Sequence, residues 1–291
     1  MLQVNAYTNI IVFFGSVIAY FIMGKPKLQL EMLNNTETYM AYNKSCQLML
    51  VIFFFITILI QFLINSVSIV NKCGGGIGEN MGIAAMTTFL PWTFFMGLIM
   101  IALMLFPGWK SAFSDVIGYF AVAGSANNIL SELLIDTRLS EQIDQVQDAI
   151  GTAEPGKTRK EVEEAATAIV KLLGNMSLLI NQITPQNFIS WWNTLQPLIK
   201  TEYKEPQNHD RLVSMQKKLL ALVVTRDNIG EAFWYIYTAI LLISVVQLKI
   251  ATQGCVLDPA QIQSDIDKIV AGKEEKDKQT KANTRTYNTG Q

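Results

Sequence analysis

Three cysteines are the residues of this chain best placed for covalent chemistry. Cys73 and Cys255 each follow the end of an apolar run, whereas Cys46 begins one. If the runs that end near Cys73 and Cys255 are helices that pack together, the two sulfurs approach disulfide distance on one side of a membrane. A lumenal side would supply oxidising conditions. The spacing therefore predicts a Cys73–Cys255 disulfide, with two free thiols in membrane-proximal loops as the alternative.

Other residue types that carry chemistry are sparse. The single histidine, His209, stands beside Asp210 in a polar turn, where a histidine is usually solvated. The Gly74–Gly78 run lacks the Lys-Ser/Thr of a phosphate loop and follows an apolar helix rather than a strand. The net charge of −1 argues against a basic surface for nucleic acid. We expect no enzyme, no cofactor, no metal site, no specific nucleic acid and no small-molecule substrate.

Four apolar runs must position these residues, and they cover 7–23, 48–70, 81–106 and 232–248. About 18 or more apolar residues suffice for a helix to cross a bilayer. The interiors of the runs contain no ionisable side chain, only residues such as Gln61 and Asn65. Transporters usually carry ionisable groups at membrane depth. We therefore predict an all-α, multi-span membrane protein with four transmembrane helices, used as anchors rather than as a pathway.

The basic residues near the runs predict the orientation. Lys25, Lys27, Lys44 and Lys110 flank the membrane on the side of the large polar region, and the other side has only Lys72 and Lys249 nearby. Positive residues favour the cytosolic side. The large polar region is therefore expected in the cytosol, with both termini and the proposed disulfide on the opposite side. The first run has an uncharged flank and no small-residue cleavage site, which indicates a retained signal anchor.

The patterns divide the chain into nine predicted segments. They are a first transmembrane helix (1–24), a loop (25–46), a second transmembrane helix (47–70), a Gly-rich loop (71–80), a third transmembrane helix (81–106), an interfacial segment (107–125), a helical extramembrane domain between spans three and four (126–229), a fourth transmembrane helix (230–252), and a short helix with a polar tail (253–291). Within the last segment, the helix is expected to begin near Asp258 and to end at Gly272, before a disordered polar stretch.

Two of these segments contain further candidate site residues. In the interfacial segment, Pro107-Gly108 ends the third span, and Trp109 and Phe113 mix with polar residues, as in a helix that lies in the plane of the membrane surface. A simple turn into the domain is the alternative.

In the helical domain, Trp191 and Trp192 are adjacent, so one helix cannot direct both into a single core. One of the two indoles is a possible contact for a partner or for the membrane surface.

Several motifs together resemble a membrane protein of large nucleocytoplasmic DNA viruses, including algal viruses and relatives of the giant viruses. The resemblance covers roughly Cys46–Cys255 and is weakest in the domain between spans three and four. It departs at Asp115, where Asn is expected, and at Ala112, where Pro is common. The motifs that carry it are Cys73-Gly74-Gly75, Pro91-Trp92, Phe106-Pro107-Gly108-Trp109, Phe113-Ser114, Ile117-Gly118-Tyr119, Phe233-Trp234-Tyr235 and Gly254-Cys255.

The resemblance implies a minor capsid component, embedded in the inner membrane of a virion beneath an icosahedral shell. Its partners would be the lipid bilayer and the major and other minor capsid proteins, and it would assemble in a membrane derived from the host endoplasmic reticulum. Both cysteines of the proposed disulfide fall within the motifs. The competing hypothesis is a four-span channel or transporter subunit of a cell or a virus.

Overall fold

The computed structural model describes residues 6–134, 176–255 and 259–285. The secondary-structure elements of these residues are α-helices, 3₁₀ turns and π-helical turns. Their one β interaction is an isolated bridge between Leu134 and Ile199. Four helical segments are long and apolar enough to cross a membrane. The predicted all-α, four-span fold is therefore confirmed. The part of the predicted helical domain between residues 135 and 175 lies outside the described residues.

The first two spans enclose a shorter loop than predicted. Helix α1 (Ala6–Ala19) continues as a π-helical turn (Tyr20–Gly24), and after the short α2 (Leu30–Leu33) the long α3 occupies Thr36–Cys73. Helix α3 begins eleven residues before the predicted second span because the Asn35 side chain accepts a hydrogen bond from the Glu37 amide at 2.8 Å. Asparagine is a favoured residue at this capping position.

The third span is interrupted where its proline predicts a kink. Helix α4 (Ile77–Pro91) leads through a π-helical turn (Trp92–Met96) into α5 (Gly97–Leu105). Proline removes one backbone donor and its ring crowds the preceding turn, so the regular hydrogen-bond ladder cannot pass through it. The connection to α3 needs glycine at Gly74 and Gly75, which both have a φ of 73°.

Beyond the third span the chain forms short helical pieces before one very long helix. A 3₁₀ turn (Pro107–Lys110), α6 (Ser111–Phe113) and a π-helical turn (Ser114–Gly118) lead into α7 (Tyr119–Leu133). The described part of the domain continues with α8 (Met176–Gln182), α9 (Phe188–Leu195), three 3₁₀ turns (Gln196–Leu198, Thr201–Lys204 and Pro206–Asn208) and α10 (His209–Thr252).

Helix α10 belongs to both the domain and the membrane bundle. Its 44 residues correspond to roughly 66 Å at the α-helical rise, and a bilayer core needs only about 30 Å. Its buried residues contribute first to the domain core, then to the bundle core, and last to a small cluster near its end. They include Met215, Leu219, Leu220 and Val223; Tyr235, Ala239, Leu242 and Ile243; and Val246 and Ile250.

Outside these cores the spans expose large apolar side chains. Leu90 is 75% exposed and Phe94 is 63% exposed, and both project from the third span. A soluble protein rarely leaves such a continuous apolar surface open to water. The exposed faces of the spans are consistent with contact with lipid.

The helix after the disulfide region is longer than predicted. Helix α11 occupies Pro259–Arg285 and passes through Gly272, so the prediction that it ends there is wrong. One internal glycine costs a helix about 1 kcal/mol. Lysine, glutamate, glutamine and alanine are strong helix formers and follow Gly272 in number, which offsets that cost.

Two glycines allow the interfacial segment to touch α10 backbone to backbone. A Cβ atom added at Gly118 would lie 2.6 Å from the Arg226 carbonyl oxygen. A Cβ atom added at Gly230 would lie 2.7 Å from the Cβ of Ser114 and 2.8 Å from the Lys110 carbonyl oxygen. Gly230 is therefore a site of close helix contact, and not the weak point in the helix that its residue type suggests.

We expect Gly118→Ala and Gly230→Ala to destabilise the protein by about 1–3 kcal/mol, because the new methyl group has no space. Gly124→Ala is the matched control. Gly124 lies in α7 with no atom within 4 Å of an added Cβ, so alanine there should leave stability unchanged or raise it. Thermal unfolding in detergent, followed by tryptophan fluorescence, measures all three. Equal shifts for Gly124 and Gly230 would contradict the close contact.

Candidate functional site at the membrane–domain junction

Four charged side chains meet where the first span, the interfacial segment and α10 come together. We name Lys25, Lys110, Asp227 and Glu231 the junction cluster. The Glu231 carboxylate forms ion pairs with Lys25 at 2.9 Å and with Lys110 at 2.7 Å, and Lys110 also donates a hydrogen bond to Asp227 at 3.1 Å. All four side chains are at most 13% exposed. A buried charge is tolerated only when it is paired in this way.

The surroundings of the junction cluster favour the charged form of Lys110 and hold the Glu231 carboxylate in position. Burial by itself would lower the pKa of Lys110, but the facing carboxylates of Glu231 and Asp227 outweigh it and raise the pKa above the usual lysine value. The Tyr235 hydroxyl donates a further hydrogen bond to Glu231 at 2.9 Å. The protonated form of Lys110 is therefore favoured, and the second oxygen of Glu231 is occupied as well.

The sequence patterns did not predict this cluster, although two of its members, Lys25 and Lys110, served as orientation markers. The available signal was the spacing of Asp227 and Glu231, which places both carboxylates on one face of a helix, one turn apart. Their partners stand as far as 206 positions away, and no local pattern reports such a distance.

The predicted interfacial motif packs against the aromatic start of the fourth span. The Trp109 carbonyl accepts a hydrogen bond from the Trp234 indole at 2.9 Å. The Phe113 ring lies edge-on to the Trp234 ring, with the centroids 5.1 Å apart. Pro107 and Gly108 begin the 3₁₀ turn that follows the third span, and Trp109 is 52% exposed. The motif therefore fastens the segment to α10, and its orientation relative to the membrane plane stays a prediction.

A buried arginine connects the same segment to the domain. The Arg226 guanidinium donates to the carbonyl oxygens of Ile180 and Ile183, the latter at 2.9 Å. It also lies 4.0 Å from the Asp115 carboxylate. Because Arg226 is one residue before Asp227, one turn of α10 holds the end of α8 on one side and the junction cluster on the other.

The two adjacent tryptophans occupy different environments. Trp192 is 5% exposed and stacks on Phe188, with the ring centroids 6.3 Å apart. Trp191 is partly buried at the edge of the same core. The structure therefore directs one indole inward and leaves the other partly accessible. Whether Trp191 contacts a partner stays a prediction.

At the opposite end of the bundle, Cys73 and Cys255 form the predicted disulfide, with the Cα atoms 5.4 Å apart. Lys72 adds a contact that the sequence did not reveal. Its ammonium donates to the carbonyls of Ile250, Ala251 and Gln253 at 2.8, 2.9 and 2.5 Å. These carbonyls at the end of α10 have no partner within the helix. The disulfide and Lys72 together form what we name the distal clip.

The bundle interior contains one layer of polar side chains between these two ends. Asn65 accepts hydrogen bonds from Asn9 at 3.2 Å and from Gln247 at 3.1 Å, and it donates to Thr88 at 2.9 Å. One turn away, Gln61 is fully buried, and neither its amide nitrogen nor its oxygen has a partner. The layer joins all four spans, because the four bonded residues each come from a different one.

Within the described residues, no group of histidine, cysteine and carboxylate side chains could hold a metal ion. His209 is exposed at the first position of α10. Cys46 is a partly buried free thiol. The candidate site consists of the ion pairs, hydrogen bonds and packing contacts that join the spans, the interfacial segment and the domain.

We expect Glu231→Ala to lower the free energy of unfolding by about 3–5 kcal/mol, because it leaves two buried ammonium groups without their shared partner. Glu31→Ala is the matched control, since Glu31 pairs with Lys217 across an exposed surface and such pairs contribute little. The thermal midpoints of the two variants in detergent test this directly. A similar small shift in both would show that the junction cluster is energetically equivalent to a surface pair.

We expect Cys73→Ser, Cys255→Ser and the double variant to lose the same amount of stability, about 2–4 kcal/mol, since each removes the same bond. Cys46→Ser is the control and should leave the thermal midpoint nearly unchanged. Peptide mapping without reduction checks the bond itself. Alkylation of both cysteines in unreduced protein, or additive losses from the two single variants, would contradict it.

Compared with known protein families, with curated proteins and with solved structures, the chain shows no match in any of the three.

Proposed function

We propose that this protein is a structural component of a virion membrane, which anchors an icosahedral capsid shell to the bilayer beneath it. The observation that carries the proposal is the continuity of α10 from the domain core into the bundle core. Force applied to the domain passes into the membrane along one unbroken helix. This arrangement suits an anchor whose outer domain is held by a partner.

Fastening at both ends of the bundle supports the same proposal. The junction cluster holds the first span and the interfacial segment to α10, and the distal clip holds the second span to its far end. The ionisable side chains of the junction cluster are engaged with one another. They strengthen an anchor, and they offer no series of exchangeable sites for a transported ion.

The resemblance to virion membrane proteins of large DNA viruses supports the identity of the partner. Several residues of the motifs that carry the resemblance also hold the interfacial segment and the second span to α10. Phe113 and Trp234 pack together, Gly118 touches Arg226, and Cys73 pairs with Cys255. We propose that the partners are the major or other minor capsid proteins. We also propose a membrane derived from the endoplasmic reticulum, with the domain toward the shell and the distal clip toward the genome.

A channel or transporter subunit is the second candidate, and the polar layer of the bundle favours it. Asn65 and its neighbours offer amide groups deep between the spans, and Gln61 has none of its hydrogen bonds made. If the wild-type protein conducts ions when it is reconstituted in vesicles, we expect the Gln61→Leu substitution to abolish the current. Absence of any current from the wild-type protein would exclude this candidate without affecting the structural one.

The structural proposal predicts which parts of the protein a protease reaches. In purified virions stripped of capsid but with intact membranes, we expect the domain to be cleaved and the segment after Cys255 to be protected. Mass spectrometry of the surviving peptides gives the result. Survival of the domain with loss of the segment after Cys255 would reverse the orientation, and absence of the protein from purified virions would refute the function.

A single variant tests the partner surface. We expect Trp191→Ala to weaken co-purification with a jelly-roll capsid protein by about tenfold or more, as loss of an interface tryptophan commonly does. Its thermal midpoint should change little, because the side chain is only partly buried. Ser190→Ala, at an adjacent position on α9, is the control. Unchanged co-purification for Trp191→Ala would remove this indole from the interface.

A further inference from the structure

A cleft of about 410 Å³ opens beside the junction cluster, between the start of α3, the end of α5 and α10. This volume is within the usual range for a small-molecule site. Its lining changes character along its length. Tyr39, Tyr42 and Asn43 line one part, whereas Leu50 and Leu103 line another.

The change in lining follows membrane depth. Along α3, Leu50 comes seven to eleven residues after the polar positions, which places it roughly 10–16 Å further into the bilayer at the α-helical rise. Leu103 belongs to the last turns of the third span. The polar part is therefore level with lipid headgroups and the apolar part with the upper acyl chains. A ligand that matches both parts is amphipathic.

The charges in the cleft specify the polar end of that ligand. Lys25 and Lys110 line it together with Asp227 and Glu231, so the charged lining is neutral overall. Both ammonium groups bind the same oxygen of Glu231 and therefore lie side by side. An ammonium has three N–H donors, and Lys25 uses one of them for Glu231. A phosphate can accept from the donors that face the cleft.

Because the charged lining of the cleft is neutral overall, a bound phosphate would leave an excess negative charge. A ligand that also carries a cation compensates for this charge. The Tyr39 and Tyr42 rings stand nearly parallel, with the centroids 6.2 Å apart, on the wall formed by α3. Tyrosine faces attract quaternary ammonium groups through their negative π surfaces. A phosphate beside the lysines and a trimethylammonium beside the tyrosines are the two ends of one zwitterionic headgroup.

We propose that this cleft binds one zwitterionic glycerophospholipid of the phosphatidylcholine type. Its phosphate lies by Lys25 and Lys110, its choline lies against Tyr39 and Tyr42, and its acyl chains pass Leu50 and Leu103 into the bilayer. The bound lipid fills the gap between α3, α5 and α10 at the level of the junction cluster. This role is independent of the partner that the domain holds.

The test is lipid retention by the full-length protein. The wild type and variants are reconstituted in nanodiscs with equal phosphatidylcholine and phosphatidylglycerol, extracted into mild detergent, and examined by native mass spectrometry. We expect one retained phosphatidylcholine, enriched about fivefold or more over phosphatidylglycerol, as expected for one favourable cation–π contact. Equal retention of the two lipids, or preference for phosphatidylglycerol, would overturn the proposal.

Two matched tryptophan variants locate the site. Met104 lines the cleft and is 39% exposed, whereas Met86 projects from α4 outside the cleft and is 75% exposed. Met104→Trp should block the acyl end and abolish the enrichment, and Met86→Trp should retain it. Tyr39→Leu is a second variant and should remove the preference for choline. Enrichment that persists in both Met104→Trp and Tyr39→Leu would place the lipid elsewhere.

A final arm separates a lipid from a soluble headgroup. Phosphatidylcholine added to delipidated protein should raise the thermal midpoint, because a ligand that binds only the folded state stabilises it. Glycerophosphocholine, which has no acyl chains, should not do so at the same concentration. An equal rise with both compounds would assign the cleft to a soluble ligand and refute the lipid.

Discussion

The buried carboxylate of Glu231 is the interaction on which the rest of this structure depends. It receives Lys25 from the end of the first span and Lys110 from the turn after the third span, while Glu231 itself belongs to α10. Removing these charges from water costs several kcal/mol per ion, and close pairing must offset that cost. The three chain segments therefore have one arrangement in which all the charges are satisfied. This requirement fixes the axial position of α10 relative to the other two.

That fixed position makes the close backbone contact on the same helix possible. Gly230 is adjacent to Glu231, and its missing side chain is what lets the Lys110 carbonyl approach α10. One turn earlier, Arg226 holds the end of α8 through the Ile183 carbonyl. The turn of α10 from Arg226 to Glu231 thus joins the domain, the interfacial segment and the first span. A helix joined so closely at its middle transmits displacement along its length, since it is continuous from the domain to the bundle.

The sequence predicts the four spans and the disulfide because both depend on features that can be read locally. Long apolar runs have few alternatives to a membrane helix, and Cys73 and Cys255 are brought together once the second and fourth spans pack. The start of α3 is not predicted by the apolar pattern, because it depends on the Asn35 side chain as a helix cap well before the apolar run begins at residue 48. The junction cluster, the Lys72 contacts and the polar layer depend on side chains that are far apart in the chain. Their partners are determined by tertiary packing, which no short pattern encodes.

The first span contributes more to the packing of the bundle than its short apolar run suggests, because it bonds to the polar layer. Between helices in lipid the hydrophobic effect gives little direction, so hydrogen bonds and packing determine which faces meet. Asn9 bonds to Asn65 in the bundle interior, and Lys25 bonds to Glu231 at the other end of the same span. Two polar contacts at separate depths specify both the rotation of α1 and its axial position. The Phe13 and Tyr20 rings lie between them against Trp92 and Phe53. The first span is therefore part of the bundle core, and its loss would remove one of the ion-pair partners of Glu231 and one of the hydrogen-bond partners of Asn65.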